Sequence, residues 1–204
     1  MKKNSEDLCF HHKVQQNTEE WLLLRKGRFT ASSIKTLLSG KTTKGYQDEI
    51  KRLAFEIATG ERVDDSFDNY WMERGKELEQ AAVNAYQMES FNVVTDPGFW
   101  TVGDYLGASP DGLIDEDGLV EVKCPKWNTM IDYLLADKVP TIYVPQVQMQ
   151  LYCTGRQWCD FVAYHPSLRL FVKRMERDED MIAKILGEVD LAVTEAEAIA
   201  VKLK

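Results

Sequence analysis

Ser109-Pro110-Asp111-Gly112, followed shortly by Leu119-Val120-Glu121-Val122-Lys123, is the stretch on which the reading of this chain turns. Pro-Asp-Gly is turn chemistry, because proline presets its φ, aspartate bonds its own backbone and glycine accepts any φ. The second segment alternates as a strand does, with Leu119, Glu121 and Lys123 on one face and Val120 and Val122 on the other. A strand pair over residues 104 to 114, turning through Ser109-Pro110-Asp111-Gly112, would return Asp111 to the face that carries Glu121 and Lys123. Two carboxylates and an ammonium so placed are what metal-assisted phosphodiester hydrolysis requires: hard oxygen ligands for Mg²⁺, and a cation to orient water or steady developing charge. Each half has a plainer reading, a surface turn or a solvated strand. Their conjunction at ten residues' separation points to a metal-dependent nuclease centre.

Outward from this centre, the pattern predicts helices over about 18–26 (Thr18 as cap), 30–38 and 46–59 (closed by Gly60), and a longer one over 68–88 with Trp71, Leu78, Ala82 and Ala85 as an apolar stripe. Strands follow at about 91–95, 98–102, 105–108, 112–115 and 119–124, read together as one catalytic sheet. Then come helices at 128–136 and 142–154, strands at 157–164 and 168–175 joined by His165-Pro166-Ser167, and a last amphipathic helix over 178–203. This order predicts an α/β fold with a central mixed β-sheet flanked by helices. A length of 204 residues with 44% hydrophobic content fits a single nuclease domain: a helical part at 18–88, the catalytic sheet at 91–176 and a C-terminal helix at 178–203.

Other candidates gain weight from that centre. Glu79, on the 68–88 helix, is suited to be a third carboxylate for metal or water. Tyr143, Gln146 and Gln150 share a helical face with Gln148 roughly opposite, and neutral amides can hold water or a phosphate oxygen. Arg25, Arg28 and Ser32 flank a helix start, an anion-binding arrangement. His11, His12 and His165 lack partners at ligand spacing, and Trp100, Trp127 and Trp158 are expected in the core. Cys9, Cys124, Cys153 and Cys159 form no metal or disulfide pattern and are expected as free, mostly packed thiols. No apolar run is long enough to span a membrane and no apolar signal core follows Met1, so a cytoplasmic location is expected. The net charge of −8 argues against nucleic acid, but its distribution does not. Lys13, Arg25, Lys26, Arg28, Lys35, Lys41, Lys44, Lys51 and Arg52 form a basic arm opposed by only Glu19, Glu20, Asp48 and Glu49.

Five ordered motifs carry a family likeness: Trp21-x3-Arg25-x-Gly27-x2-Thr30-Ala31-Ser32, Gly75-Lys76-x2-Glu79, Ser109-Pro110-Asp111-Gly112, the run from Gly118 through Lys123 to Cys124-Pro125, and Tyr143-x2-Gln146-Val147-Gln148. Over residues 18 to 180 the chain resembles the lambda-exonuclease and YqaJ-like viral recombinase nucleases of the restriction-endonuclease-like superfamily. The resemblance implies two Mg²⁺ ions, replaceable by Mn²⁺, held by Asp111, Glu121, the Val122 carbonyl and Glu79. It implies that Lys123 positions water, that Gln146 completes the centre, and that Arg25, Ser32 and Ser109 hold the 5′-phosphate. Arg28, Lys76, Tyr143 and Gln148 become further DNA contacts. The implied activity is 5′→3′ degradation of one strand of linear duplex DNA, leaving 3′ overhangs for a single-strand annealing protein, by a ring-shaped homotrimer. The chain departs from the pattern in having Lys126-Trp127-Asn128-Thr129 where lambda exonuclease has an arginine aimed at the 5′ end, and its cysteines lack the spacing of iron–sulfur relatives. A structure- or sequence-specific endonuclease would use the same chemistry, and a non-catalytic DNA-binding module would keep the fold.

Overall fold

The Ser109-Pro110-Asp111 segment is where the chain passes from one β-sheet into another. In the first sheet, β1 (Cys9–His12) and β4 (Phe99–Val102) pair antiparallel, β4 pairs antiparallel with β5 (Leu106–Ala108), and β5 lies parallel to β2 (Phe29–Thr30). In the second, β3 (Val94–Thr95), β6 (Gly112–Ile114), β7 (Gly118–Lys123), β8 (Trp158–Ala163) and β9 (Phe171–Glu176) lie in that order, with β7 and β8 parallel and the other pairs antiparallel. The one catalytic sheet expected over 91–176 is thus divided between two. The expected strand pair turning through residues 109–112 is a crossover instead, since β5 pairs with β4 and β2 while β6 pairs with β3 and β7. Pro110 has no N–H to extend the first ladder, and the Asp111 N–H joins the second by donating to Val120 O at 3.1 Å. Gly112 permits the entry: a Cβ there would stand 2.1 Å from Val94 Cγ1.

This computed structural model describes residues 9–63 and 70–204, without the side chains of 70–73, 75 and 76. The predicted helix start at 68 and the side chains of Trp71 and Lys76 therefore lie outside the described residues. The helices are α1 (Glu19–Arg25), α2 (Ile34–Leu37), α3 (Lys44–Thr59), α4 (Tyr70–Ser90), α5 (Trp127–Ala136), α6 (Val144–Thr154) and α7 (Glu179–Leu203). Their ends follow local chemistry: Thr18, Thr43 and Asp178 accept from the N–H groups of Trp21, Tyr46 and Met181, and Gly60 closes α3 in the left-handed conformation. The helix expected over 30–38 is shorter. Phe29 and Thr30 are buried and pair with Leu106 and Gly107, a 3-10 turn spans Ala31–Ser33, and only Ile34–Leu37 is α-helical.

The second sheet is covered on both faces. Val120 and Val122 pack with Ala82, Val83 and Tyr86 of α4. On the opposite face Leu113, Leu119 and Cys159 pack with Val147 and Leu151 of α6, and α5 adds Met130 and Tyr133 over Phe161, Ala163 and Phe171. A further cluster joins α2, α3, α6 and α7 to β5 through Ile34, Leu53, Ala108, Met149 and Val189. Strand β7 thereby receives α4 from one side and α6 from the other. Cys153 and Cys159 are buried and Cys9 and Cys124 partly so, all four as free thiols.

Candidate active site

Strand β7 delivers Glu121 into the space beneath α6, where the side chain is 1% exposed. Burying a carboxylate is costly unless its oxygens are paired. Here Lys123 Nζ and Gln146 Nε2 (2.5 Å) donate to Oε1, and Gln150 Nε2 (2.7 Å) donates to Oε2. Gln146 and Gln150 are one helical turn apart, so α6 presents both amides at once. The family resemblance gives a role to Gln146 alone, but the spacing that puts Gln150 on the same helical face brings it to the same carboxylate. The Lys123 ammonium also lies 5.4 Å from the centre of the Tyr143 ring, which packs on Phe161, and the Tyr143 hydroxyl accepts from the Tyr133 hydroxyl at 3.5 Å.

Asp111 arrives from the sheet crossover, and its Oδ2 accepts the Val122 N–H at 2.6 Å. Burial, and next the charge of Glu121, push its carboxyl well above the usual range, against the opposing pull of Lys123. Glu79, from α4, is raised by the same causes in the same order. For Lys123, burial disfavours the charge, but Glu121 and Asp111 more than offset it and hold the ammonium above its ordinary value. Three carboxylates against one ammonium leave an excess of two negative charges when all are ionised, an arrangement that favours added positive charge. Among the described residues no three His, Cys, Asp or Glu side chains form a ready-made metal cage. Among the described residues Asp111 Oδ1 has no hydrogen-bond partner, and Glu121 Oε2 accepts one hydrogen bond. Buried beside them, the Gln150 side-chain oxygen has no hydrogen-bond partner. Such hard oxygens suit Mg²⁺, which usually takes one or two carboxylates and fills its shell with water and phosphate oxygens.

A second group adjoins this one. Trp21 Nε1 donates to Ser109 Oγ at 3.2 Å while the Arg25 guanidinium stacks over the Trp21 ring at 4.3 Å, so one indole connects the two predicted phosphate ligands. Ser109 in turn donates to Gly98 O, and Gln16 donates to Pro110 O, fixing the crossover. Ser32 is exposed, with its hydroxyl 3.1 Å from that of Thr30. Burial, and then Arg52, pull the Arg25 pKa down, while Glu49 and Glu56 oppose them. Nothing in the sequence pattern singled out Glu56. It is 5% exposed, accepts from Gly27 N–H and Val63 N–H and pairs with Arg52 at 2.7 Å, tying the end of α1 to α3.

Some expectations change. Gln148 is 3% exposed, with its amide donating to Glu176 O and accepting from Asp178 N–H, so it anchors α6 to β9 and the start of α7 instead of facing DNA. Arg28 donates to Leu24 O and Lys26 O and is half buried. Trp127 is 64% exposed at the start of α5, where a core position was expected, because α5 turns Met130 and Tyr133 inward instead. His11 is structural: it stacks on Trp100 at 4.2 Å and its Nε2 lies 3.1 Å from Pro97 O.

The model of the YqaJ-like viral recombinase domain matches residues 20–157, a span that holds Arg25, Ser32, Glu79, Ser109, Asp111, Glu121, Lys123, Gln146 and Gln150. The chain belongs to that family. Among solved structures it is similar to LHK-Exo in complex with dAMP, at 38% identity and a TM-score of 0.82 over 92% of this chain and 96% of that one. It is equally similar to an alkaline exonuclease (LHK-Exo) from Laribacter hongkongensis, at 38% identity and a TM-score of 0.81 over 91% and 96%. A phage-related exonuclease from Haemophilus somnus 129PT, at 15% identity and a TM-score of 0.64 over 87% and 96%, shares the fold. No curated protein sequence matches the chain. As in those relatives, the family core here is a mixed α/β structure flanked by helices. Among the described residues no helix is long and apolar enough to cross a membrane.

Proposed function

We propose that this protein is a Mg²⁺-dependent exonuclease that degrades one strand of linear duplex DNA from its 5′ end, leaving 3′ single-stranded overhangs for recombination by strand annealing. Family membership and similarity to an alkaline exonuclease support the phage-type exonuclease assignment. The observation that carries it is the buried Glu121 carboxylate, held by Lys123, Gln146 and Gln150 with Asp111 and Glu79 as electrostatic neighbours. Two carboxyls whose pKa values are raised by burial and by the charge of one shared buried carboxylate are the kind of cluster found at functional sites.

In this reading Asp111, Glu121, the Val122 carbonyl and Glu79 hold two metal ions, with Mn²⁺ able to replace Mg²⁺. The bound ions would supply Lewis-acid stabilisation of the attacking and leaving oxygens. Gln146 and Gln150 fix the rotamer of Glu121. Lys123 places its ammonium between Glu121 and the Tyr143 ring, from where it orients the attacking water and steadies the charge that develops on phosphate. Arg25, Ser32 and Ser109 grip the terminal 5′-phosphate, with Trp21 holding the first and third in register. Lys76 and Tyr143 are additional DNA contacts. That LHK-Exo has been crystallised with dAMP, a mononucleotide, is in keeping with release of single nucleotides here. The partners are duplex ends, a single-strand annealing protein and further copies of this chain in a trimeric ring, in the cytoplasm.

End-labelled linear duplex, with and without a 5′-phosphate, is the deciding substrate. Incubation with Mg²⁺ should release a 5′ label at once as a mononucleotide and progressively shorten a 3′-labelled strand, faster from phosphorylated ends, while a closed circular duplex survives. Cutting of the circle would replace this reading with an endonuclease, and binding without cleavage would leave a DNA-binding module.

A further inference from the structure

The end of α2 and the entry to α6 border an open cleft of about 450 Å³. Its apolar wall is made by Leu38, Ile142 and Pro145, and its polar edge by Lys35, Ser39 and Thr141. Leu38 and Ile142 are 39% and 53% exposed and, with Pro145, give the cleft a continuous apolar wall. Lys35 is exposed and makes no ion pair among the described residues. Along the chain, its residues border both halves of the site. Lys35 follows Ser32 by three residues across the 3-10 turn into α2, and Ile142 immediately precedes Tyr143, whose ring lies over Lys123.

The occupant is indicated by charge and shape together. The chain as a whole is acidic, yet this edge belongs to the basic arm, with Lys41 and Lys44 following Lys35 and no acid between residues 21 and 47. An unpaired cation next to hydroxyls marks an anion position, and an aliphatic wall accepts the C–H-rich face of a sugar or base. A cleft of this size falls at the small end of ligand sites, enough for one nucleotide. We propose that it binds a nucleotide of the DNA strand outside the reaction centre, with its phosphate on Lys35 and its sugar and base against Leu38, Ile142 and Pro145. The inference rests on the nuclease reading and extends it, because the cleft adds a grip that does not depend on the 5′-phosphate or on metal.

The test is therefore binding without turnover. A fluorescent single-stranded dT12 carrying a 5′-hydroxyl is titrated in EDTA at several salt concentrations, and end-labelled duplex is digested in Mg²⁺ in parallel. Lys35→Glu should weaken dT12 binding about tenfold, and Lys35→Ala should flatten the slope of log affinity against log salt by about 0.7, the value for one phosphate contact on a single strand. Ile142→Ser should weaken binding about threefold with no change in slope, and Lys35→Arg should bind as wild type. Both positions are exposed, and an unchanged melting temperature shows that the variants are folded. If wild type digests duplex but Lys35→Glu and Ile142→Ser bind dT12 within twofold of it, the cleft does not hold DNA and the nuclease reading stands. If wild type neither digests duplex nor binds dT12, the nuclease reading fails and this inference with it.

Discussion

Glu121 and Asp111 differ from ordinary buried carboxylates in what removing them should do. Neither is a packing group, so Glu121→Ala and Asp111→Ala should abolish cleavage while leaving far-UV circular dichroism unchanged. More than about a tenth of the wild-type rate in either variant, at equal Mg²⁺, would refute the ligand assignment. Lys123→Ala should instead lower single-turnover rate with little change in DNA affinity; loss of affinity with normal turnover would make Lys123 a phosphate contact. Asp111 also predicts a stability effect. Its folded pKa is raised, so between the ordinary carboxylate range and that raised value the native state binds more protons than the unfolded state. Stability without metal then falls as pH rises through that window. Asp111→Asn removes this penalty and keeps an acceptor for the Val122 N–H, so at pH 7 in EDTA it should melt higher than wild type, by about 2–4 °C if the gain is ~1 kcal/mol. A lower melting temperature would mean that Lys123 and the Val122 bond outweigh the like charges. Arg25 belongs to the same scale. Losing one charge-assisted contact of ~1.5–3 kcal/mol predicts that Arg25→Ala reduces the preference for 5′-phosphorylated ends by about one to two orders of magnitude, with less effect on 5′-hydroxyl ends. Equal slowing on both ends would make Arg25 a general backbone contact.

Among the elements, α4 is held against the sheet by a buried network on the face away from Glu121. Tyr86 donates to Asp160 at 2.6 Å and accepts from Asn92 at 2.7 Å, and Arg174 reaches both Asp160 oxygens while stacking on Trp158. Burial, and then the bond to Asp160, push the Tyr86 hydroxyl up to about 12. Tyr86→Phe leaves the ring in the core but withdraws a donor from a buried charge that Arg174 still pairs, a loss of about 1–2 kcal/mol that urea denaturation would read. No loss would mean that Arg174 alone satisfies Asp160. Most of these elements were legible in the sequence, because alternation in Leu119–Lys123 and caps such as Thr18, Thr43 and Gly60 are local signals. The division into two sheets was not, since Cys9 pairs with Val102 and Phe29 with Leu106, and no local pattern encodes pairing over such separations. The same limit hid Glu56 and the indole bridge from Arg25 to Ser109, whose partners meet only after folding. Glu121 and Lys123 were legible because a strand of period two puts them together whatever surrounds it.

For the whole molecule, the decisive question is whether one chain suffices. An enzyme that stays on one duplex through many cycles gains from enclosing it, and a head-to-tail interface that closes after three copies makes such a ring. Such an interface would be heterologous, so each chain would offer two different surfaces. Helix α5 leaves Trp127, Ile131 and Leu135 exposed at 64%, 38% and 80%, four residues apart and hence on one side, while the end of α4 leaves Met88 and Phe91 exposed at 80% and 90%. Exposed apolar surface of this kind favours association. Sedimentation at micromolar concentration should therefore find a trimer of the 23.4 kDa chain, and Leu135→Asp should shift it toward smaller species if the α5 stripe is one of the two surfaces. In digestion with excess cold competitor DNA added after binding, the trimer should keep shortening the strand it holds. A monomer at 23.4 kDa, with or without DNA, would remove the ring, and strand shortening should then stop as soon as competitor is added.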